Sequence, residues 1–432
     1  MFQDLRYALR TLARSPGLSL AAVLTLGLGI GANSAMFSVV DRLFFRPPAH
    51  VVDPDRVVRL YVTTVMPGYG TNTMPIGTYP RYEDLRDHAR RFAVAAYGRG
   101  SFSLGLGPQA EPVKARLVTA SFFSVLGVRP ELGRFFGADE DSVGRAAHVA
   151  VLSREFWMRQ FGADRAVLGR TLQLGRNVYT VIGVTPEGFA GIDLDVPDLW
   201  LPLTAAAPEV MGPAALGPNF FWLSGVVARL RPRVSPEQAA AEATAIYRSE
   251  FVQSGDSTGT VSLGSVHEAI GPLASRDAKL SVWLGAMCAI VLLIACANVA
   301  NLLLARAVQR KREIAVRVAL GASRGRLARQ LLADSAVLGV LGGVAALLIT
   351  LWVGPVLSAS LLSDATTVGL DTRVLLFTAV AVLVTVVLAG FAPAYHASAP
   401  DLSSALKSGE REGTFQRSRV RTGLLVGQVA LT

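Results

Sequence analysis

Two kinds of apolar pattern divide this chain. Four runs, residues 18–40, 280–304, 336–357 and 374–392, are long and almost free of charge. A helix needs about 20 such residues to cross a bilayer, so each run predicts a membrane span. Between the first two lies a stretch of more than two hundred residues in which short apolar runs alternate with polar turns. Residues 56–62 (RVVRLYV), 148–152 (HVAVL) and 222–230 predict strands. Residues 171–174 and 178–184 flank Gly175-Arg176-Asn177, a hairpin signal. Ser153 is placed to cap a helix, REFWMRQFG, whose Phe156 and Phe161 would enter a core. Ser235-Pro236-Glu237-Gln238 combines a serine cap, a proline in the first turn and a capping-box glutamine. The predicted fold class is an α-helical transmembrane bundle of four spans with a large α+β domain outside.

A different period marks residues 305–334, the stretch between the second and third spans. Ile314 and Val318 fall four apart, as do Leu327 and Leu331, so each half presents one apolar stripe of a helix. Gly321 interrupts the period, and the stretch reads as helix, turn, helix lying under the membrane. At the N-terminus, Phe2, Leu5, Leu9 and Leu12 share one helical face and Arg6, Arg10 and Arg14 another, which suits the inner membrane surface. Pro16-Gly17 ends that pattern.

Composition changes the picture in one respect. The chain has 432 residues, 51% hydrophobic and 17% charged, with a mean hydropathy of +0.41. That is too apolar for an ordinary soluble protein. Its net charge of +10 raises nucleic acid as a partner, but the basic residues sit beside the apolar runs, which points to the lipid bilayer instead. Arg306, Arg310, Lys311, Arg312, Arg317, Arg324, Arg326 and Arg329 face one interior acid, Glu313. Basic loops stay in the cytoplasm. The residues after the fourth span are also basic (Lys407, Arg411, Arg417, Arg419, Arg421), whereas the 358–373 loop carries Asp364, Asp371 and Arg373. Together these put the N-terminus inside and the large domain outside an inner membrane. The divisions are 1–16, a cytoplasmic amphipathic helix; 17–45, the first span; 46–279, the extracytoplasmic domain; 280–396, the remaining spans; and 397–432, a cytoplasmic segment. Residues 424–432 (LLVGQVALT) read as the opening of a fifth span, which suggests a piece of a longer protein. A cleaved signal peptide is the rival for the first run, but apolar character continues past any small-residue cleavage site.

Within the spans, Gly27 with Gly31 and Gly339 with Gly343 form GxxxG pairs, surfaces where another helix can approach closely. Asn298 and Asn301 lie three apart and are placed either to bond a neighbouring helix or to meet a cytoplasmic partner. Cys288 and Cys296 would stand about 12 Å apart along a helix, too far for a disulfide. Catalytic chemistry is hard to place. None of the four lysines (Lys114, Lys279, Lys311, Lys407) follows glycine, so there is no Walker A motif. Gly321-Ala322-Ser323-Arg324-Gly325 matches GxSxG in letters only, because helix rather than strand precedes it. The five histidines show no metal-ligand spacing. No cofactor, metal or catalytic group is expected, and an enzyme is not.

Three stretches together resemble a known family: residues 4–41; the run VTASFFSVLGVRPELGRFF, VAVLSREFWMRQFG and LGRTLQLGRNVYTVIGV; and residues 295–335. They are similar to the MacB/FtsX-type ABC permeases, and most of all to the duplicated orphan permeases of that group. The resemblance implies one span before a periplasmic core domain and three after it. It implies pairing as a homodimer, or with a second permease half, and a separate ABC ATPase subunit as partner. Arg310, Arg312, Glu313, Ile314, Arg317, Val318, Gly321, Ala322, Ser323 and Arg324 would then form the ATPase-coupling loop. Mechanotransmission follows: ATP-driven movement works the outer domain, together with a periplasmic or outer-membrane partner, without substrate crossing the bilayer. The alternative, on the FtsX branch, is a signalling scaffold that activates an extracytoplasmic partner and transports nothing.

Overall fold

The computed structural model describes residues 10, 16–41, 45–66, 70–193, 196–218, 220, 222–251, 259–266, 276–309, 324–361 and 371–397. The chain divides into two compact units, Arg42–Ala278 and the combination of Met1–Asp41 with Lys279–Thr432.

The first unit is α+β. Its strands are β1 (Val57–Met66), β2 (Gly70–Pro75), β3 (Phe92–Leu104), β4 (Glu111–Val118), β5 (Leu132–Gly133), β6 (Val149–Leu152), β7 (Thr171–Leu174), β8 (Asn177–Val184), β9 (Leu199–Pro202), β10 (Gly225–Leu230) and β11 (Thr260–Ser265). They form one mixed sheet in the order β11-β1-β10-β3-β4-β9-β6-β8-β5, with β2 beside β1 and β7 bridging β3 and β8. The pairs β4/β9 and β6/β8 are parallel. Side chains alternate between faces, and both faces are buried. Val94 and Ala96 of β3, Leu117 of β4 and Val226 and Ala228 of β10 enter one core. Their neighbours Ala95, Tyr97, Val118 and Val227 enter the other. A strand buried on both sides has no polar alternation, which is why β6 reads VAVL.

Numbering the helices in chain order, α1 (Pro16–Val40) precedes this unit, whose own helices are α2 (Tyr79–His88), α3 (Phe122–Leu126), α4 (Arg154–Phe161), α5 (Leu203–Met211) and α6 (Pro236–Phe251). Tyr79, Tyr82 and Leu85 of α2, Phe156 and Trp157 of α4, and Ala239, Ala243 and Ile246 of α6 complete the first core. Phe122 and Phe123 of α3 join Trp200 and Phe189 in the second. Ser153 Oγ accepts the Phe156 amide at 3.2 Å and Gly162 ends α4 in the left-handed region. At α6 the capping box closes both ways: Ser235 Oγ accepts from Gln238 N at 3.3 Å, and Gln238 Oε1 accepts from Ser235 N at 3.1 Å. The hairpin turns at Gly175-Arg176, since Leu174 pairs with Asn177; Gly175 has φ 57°. The strand predicted over 222–230 starts only at Gly225, because Trp222 instead packs its ring over Gly98 and donates from Nε1 to Ala215 O.

The second unit holds α1 with α7 (Arg276–Gln309), α8 (Arg324–Leu361) and α9 (Thr372–Ala397). Among the described residues, Ser19–Val40, Val282–Val299 and Ser335–Gly354 are long and apolar enough to cross a membrane; Thr372–Val387 is apolar but shorter. The expectation of four spans is therefore met in three helices. The expectation of a separate helix under the membrane changes too. From Arg324 onward the backbone is one helix through Leu361; no proline or paired glycine stands where the basic stretch passes into the apolar run, around residue 335.

Candidate functional site

Most of the expected coupling loop, Arg310, Arg312, Glu313, Ile314, Arg317, Val318, Gly321, Ala322 and Ser323, lies outside the described residues. Arg324 is the first residue of α8. The N-terminal amphipathic stretch (save the backbone of Arg10) and residues 398–432 also lie outside them. The described part of the helical unit is organised around α1.

Glycine decides how near its neighbours come. A methyl group on Gly27 would stand 2.8 Å from Ala345 Cβ, and one on Gly31 3.0 Å from Ile349 Cβ and 3.1 Å from Ala346 O. So α1 and α8 pack nearly backbone to backbone. In return, Gly342 of α8 takes Leu26 of α1. The other pair turns to α9: Gly339 lies against Val386 and Gly343 against Val382. Gly29, between the α1 pair, faces Ala295 of α7.

Polar side chains then key α1 to each neighbour. Asn33 donates from Nδ2 to Gly29 O at 2.8 Å and to Cys288 O on α7 at 2.7 Å. Ser34 and Thr378 join hydroxyls at 2.8 Å. The rings of Phe37 and Phe377 stack at 4.2 Å. Arg373 donates to Asp41 at 3.0 Å, with the carboxylate side chain 3% exposed. Thr350 of α8 donates to Gly31 O at 3.2 Å. None of these polar residues stood out in the sequence beyond being polar inside or at the end of an apolar run, which was the one available signal. Asn301 Oδ1 is buried and accepts no hydrogen bond among the described residues. Both cysteines are free thiols, and Cys296 Sγ lies 3.5 Å from Thr385 Oγ1.

In the α+β unit the densest charge is a buried cluster. Asp193 meets Arg116 at 3.0 Å and Arg59 and Arg99 at 3.4 Å; the Asp193 and Arg116 side chains are 5% and 3% exposed. Burial by itself would raise the Asp193 carboxyl, but Arg116, Arg59 and Arg99 outweigh it and hold it below the usual carboxylate range. This ties β1, β3 and β4 to the loop before β9. Asp141 is the opposite case. Burial pushes its carboxyl up, against hydrogen bonds from Thr204 and the Ala120 amide. A third group joins Glu209 to Tyr179 at 2.8 Å and to His148 at 3.0 Å. Among the described residues no group of three or more His, Cys, Asp or Glu could hold a metal ion.

Comparison with known proteins gives this arrangement its context. Residues 19–246 match the family model for the MacB-like periplasmic core domain, and residues 285–402 match that for the FtsX-like permease C-terminal region. The pyoverdine export ATP-binding/permease protein PvdT of Pseudomonas entomophila is 30% identical over 278 residues, 64% of this chain and 40% of that protein. The macrolide export ATP-binding/permease protein MacB of Shewanella oneidensis is 27% identical over 261 residues, 59% of this chain and 38% of that protein. This chain thus spans well under half the length of these relatives. Among solved structures, the periplasmic region of MacB from Actinobacillus actinomycetemcomitans aligns over 48% of this chain and 87% of its own, at 16% identity and a TM-score of 0.35. The core-domain match alone covers more than half of the chain, and the permease match follows it along the sequence. On these grounds the chain belongs to the MacB/FtsX-type ABC permeases.

Proposed function

We propose that this chain is the permease component of a MacB-like export machine, in which a separate cytoplasmic ABC ATPase supplies the energy and the permease passes movement to the domain outside. The observation that carries this reading is the succession of a core-domain match and a permease match in one chain. The helix packing agrees with it. Asn301 Oδ1 aside, which accepts no hydrogen bond among the described residues, the buried polar groups Asn33, Ser34, Thr350, Thr378 and Thr385 are used up in bonds within or between helices. They offer no polar lane for a solute, which suits transmission of work rather than passage of substrate.

In this reading the chain sits in the inner membrane with its N-terminus inside, residues 374–392 make a fourth span, and a second permease subunit or half completes the bundle. Relatives named for pyoverdine and macrolide export support an export role over the FtsX-like scaffold, although the FtsX-like match is common to both.

The coupling loop provides the test. A helix over 310–320 would lay Ile314 and Val318 into a groove of the ATPase, while Glu313 and Arg317, four apart, add only about 0.3–0.5 kcal/mol to that helix. Val318→Asp puts a charge into the packed interface at a cost of several kcal/mol. It should abolish co-purification of the ATPase at unchanged membrane level, and Glu313→Gln should be milder. Retention of the ATPase by Val318→Asp, with full activity, would overturn the coupling assignment.

A further inference from the structure

At one end of the sheet, arginines from three distant segments converge. Phe92, the first residue of β3, pairs with Leu230, the last of β10, and Arg231 N donates to Arg91 O at 2.9 Å. This brings Arg90 and Arg91 beside Arg231 and Arg233, and all four are exposed. Arg56, just before β1, donates from Nε and Nη2 to Leu230 O at 3.1 and 2.6 Å. Arg233 has φ 66° in the turn after β10, a conformation that an L-residue adopts only at some cost.

Acids at this end are fewer than the arginines: Glu242, Asp53, Asp55 and the exposed Glu237 of α6. Glu242 accepts the Arg90 and Arg91 amides at 3.1 and 3.0 Å and reaches the Arg91 guanidinium only at 4.0 Å. Asp53 stands 3.7 Å from Arg56, and Asp55 is exposed beside it. Among the described residues, Arg90, Arg231 and Arg233 enter no ion pair. The excess of positive charge reaches inward: burial first, and then Arg56, lower the Arg229 guanidinium below its ordinary value. Val52, whose carbonyl accepts from Arg229 at 2.6 Å, is 52% exposed and adds an apolar edge.

Position gives the patch its meaning. Residues 46–56 lead into β1 at this end, and β11 finishes here, since Val58 pairs with Ser265. The chain therefore enters β1 and leaves β11 at the same end of the sheet as the arginines. We propose that Arg90, Arg91, Arg231 and Arg233 bind phosphate groups, specifically those of anionic phospholipid headgroups on the outer membrane surface. Guanidinium forks match phosphate oxygens, and an arginine near an anionic bilayer strengthens binding about fivefold. The inference stands independently of the export reading.

The experiment uses the full chain in nanodiscs of phosphatidylcholine, alone or mixed with phosphatidylglycerol, and follows amide hydrogen exchange at residues 89–93 and 229–235. Exchange should slow about fivefold or more in the mixed discs, and the effect should shrink at high salt. Replacing all four arginines with glutamine should return exchange to the phosphatidylcholine level, and replacing them with lysine should keep most of the slowing. Unchanged exchange at β8 in the glutamine variant confirms an intact fold. Equal exchange in both disc types, or slowing that survives the glutamine changes, overturns the proposal. So does inorganic phosphate producing the same slowing in phosphatidylcholine discs, which would make the patch a site for free anions.

Discussion

Asp193 shows what a single buried charge demands. With Arg116 at 3.0 Å and both side chains almost fully covered, neither can lose the other without leaving a charge in a poorly solvated place. Asp193→Asn should therefore destabilise the α+β unit by roughly 3–5 kcal/mol at pH 7. The folded carboxyl titrates below its ordinary value, so folding favours the ionised form. That contribution is complete above the unfolded pKa of about 4 and is lost as pH falls through the lower folded value. The difference between wild type and Asp193→Asn should accordingly be constant at neutral pH and narrow in the acid range. Denaturant unfolding followed by tryptophan fluorescence across pH tests both parts; identical midpoints at pH 7 would refute the first.

At the level of elements, α1 holds the helical unit together through contacts of two kinds. Its glycines permit close approach to α8, and its polar and aromatic residues fix particular partners on α7 and α9. Gly31→Val would drive a branched side chain into Ile349 and Ala346, an overpacking that costs about 1–3 kcal/mol. Gly285→Val is the matched control, because a Cβ there meets nothing within 4 Å. Thermal stability in detergent should fall for Gly31→Val and stay near wild type for Gly285→Val; equal losses would mean that helix propensity, not packing, is being measured. The same principle of local sufficiency explains the capped helices. Ser153 and Ser235 each satisfy an amide three residues away, so the signal and the structure it makes occupy the same few residues.

For the whole molecule, orientation follows from charge placed beside apolar runs. Reporter fusions after Arg14, Arg312 and Lys407 should report the cytoplasm, and fusions near Gly175 and Asp364 the outside. An outside signal at Arg312 would reverse the orientation and put the proposed coupling loop out of reach of any ATPase.

The residues by themselves determined the family, the apolar runs behind the three long membrane-type helices, the α+β character of the large unit, and those helices and hairpins whose signals span a few positions. Each rests on period, charge or a cap, all of which are properties of neighbours in sequence. Tertiary structure alone decided which distant residues share a site. Nothing in RRF and RLRPR announces that residues 90–91 and 231–233 adjoin; strand order does, by laying β3 beside β10. Asp193 finds Arg59, Arg99 and Arg116 through the same sheet. Even α8 escaped a local reading, since a basic stretch and an apolar one differ in solvent preference yet propagate one backbone helix. The hydrophobic pattern specifies which face of an element is covered, but many strand orders would cover the same faces, and only the packed whole selects among them.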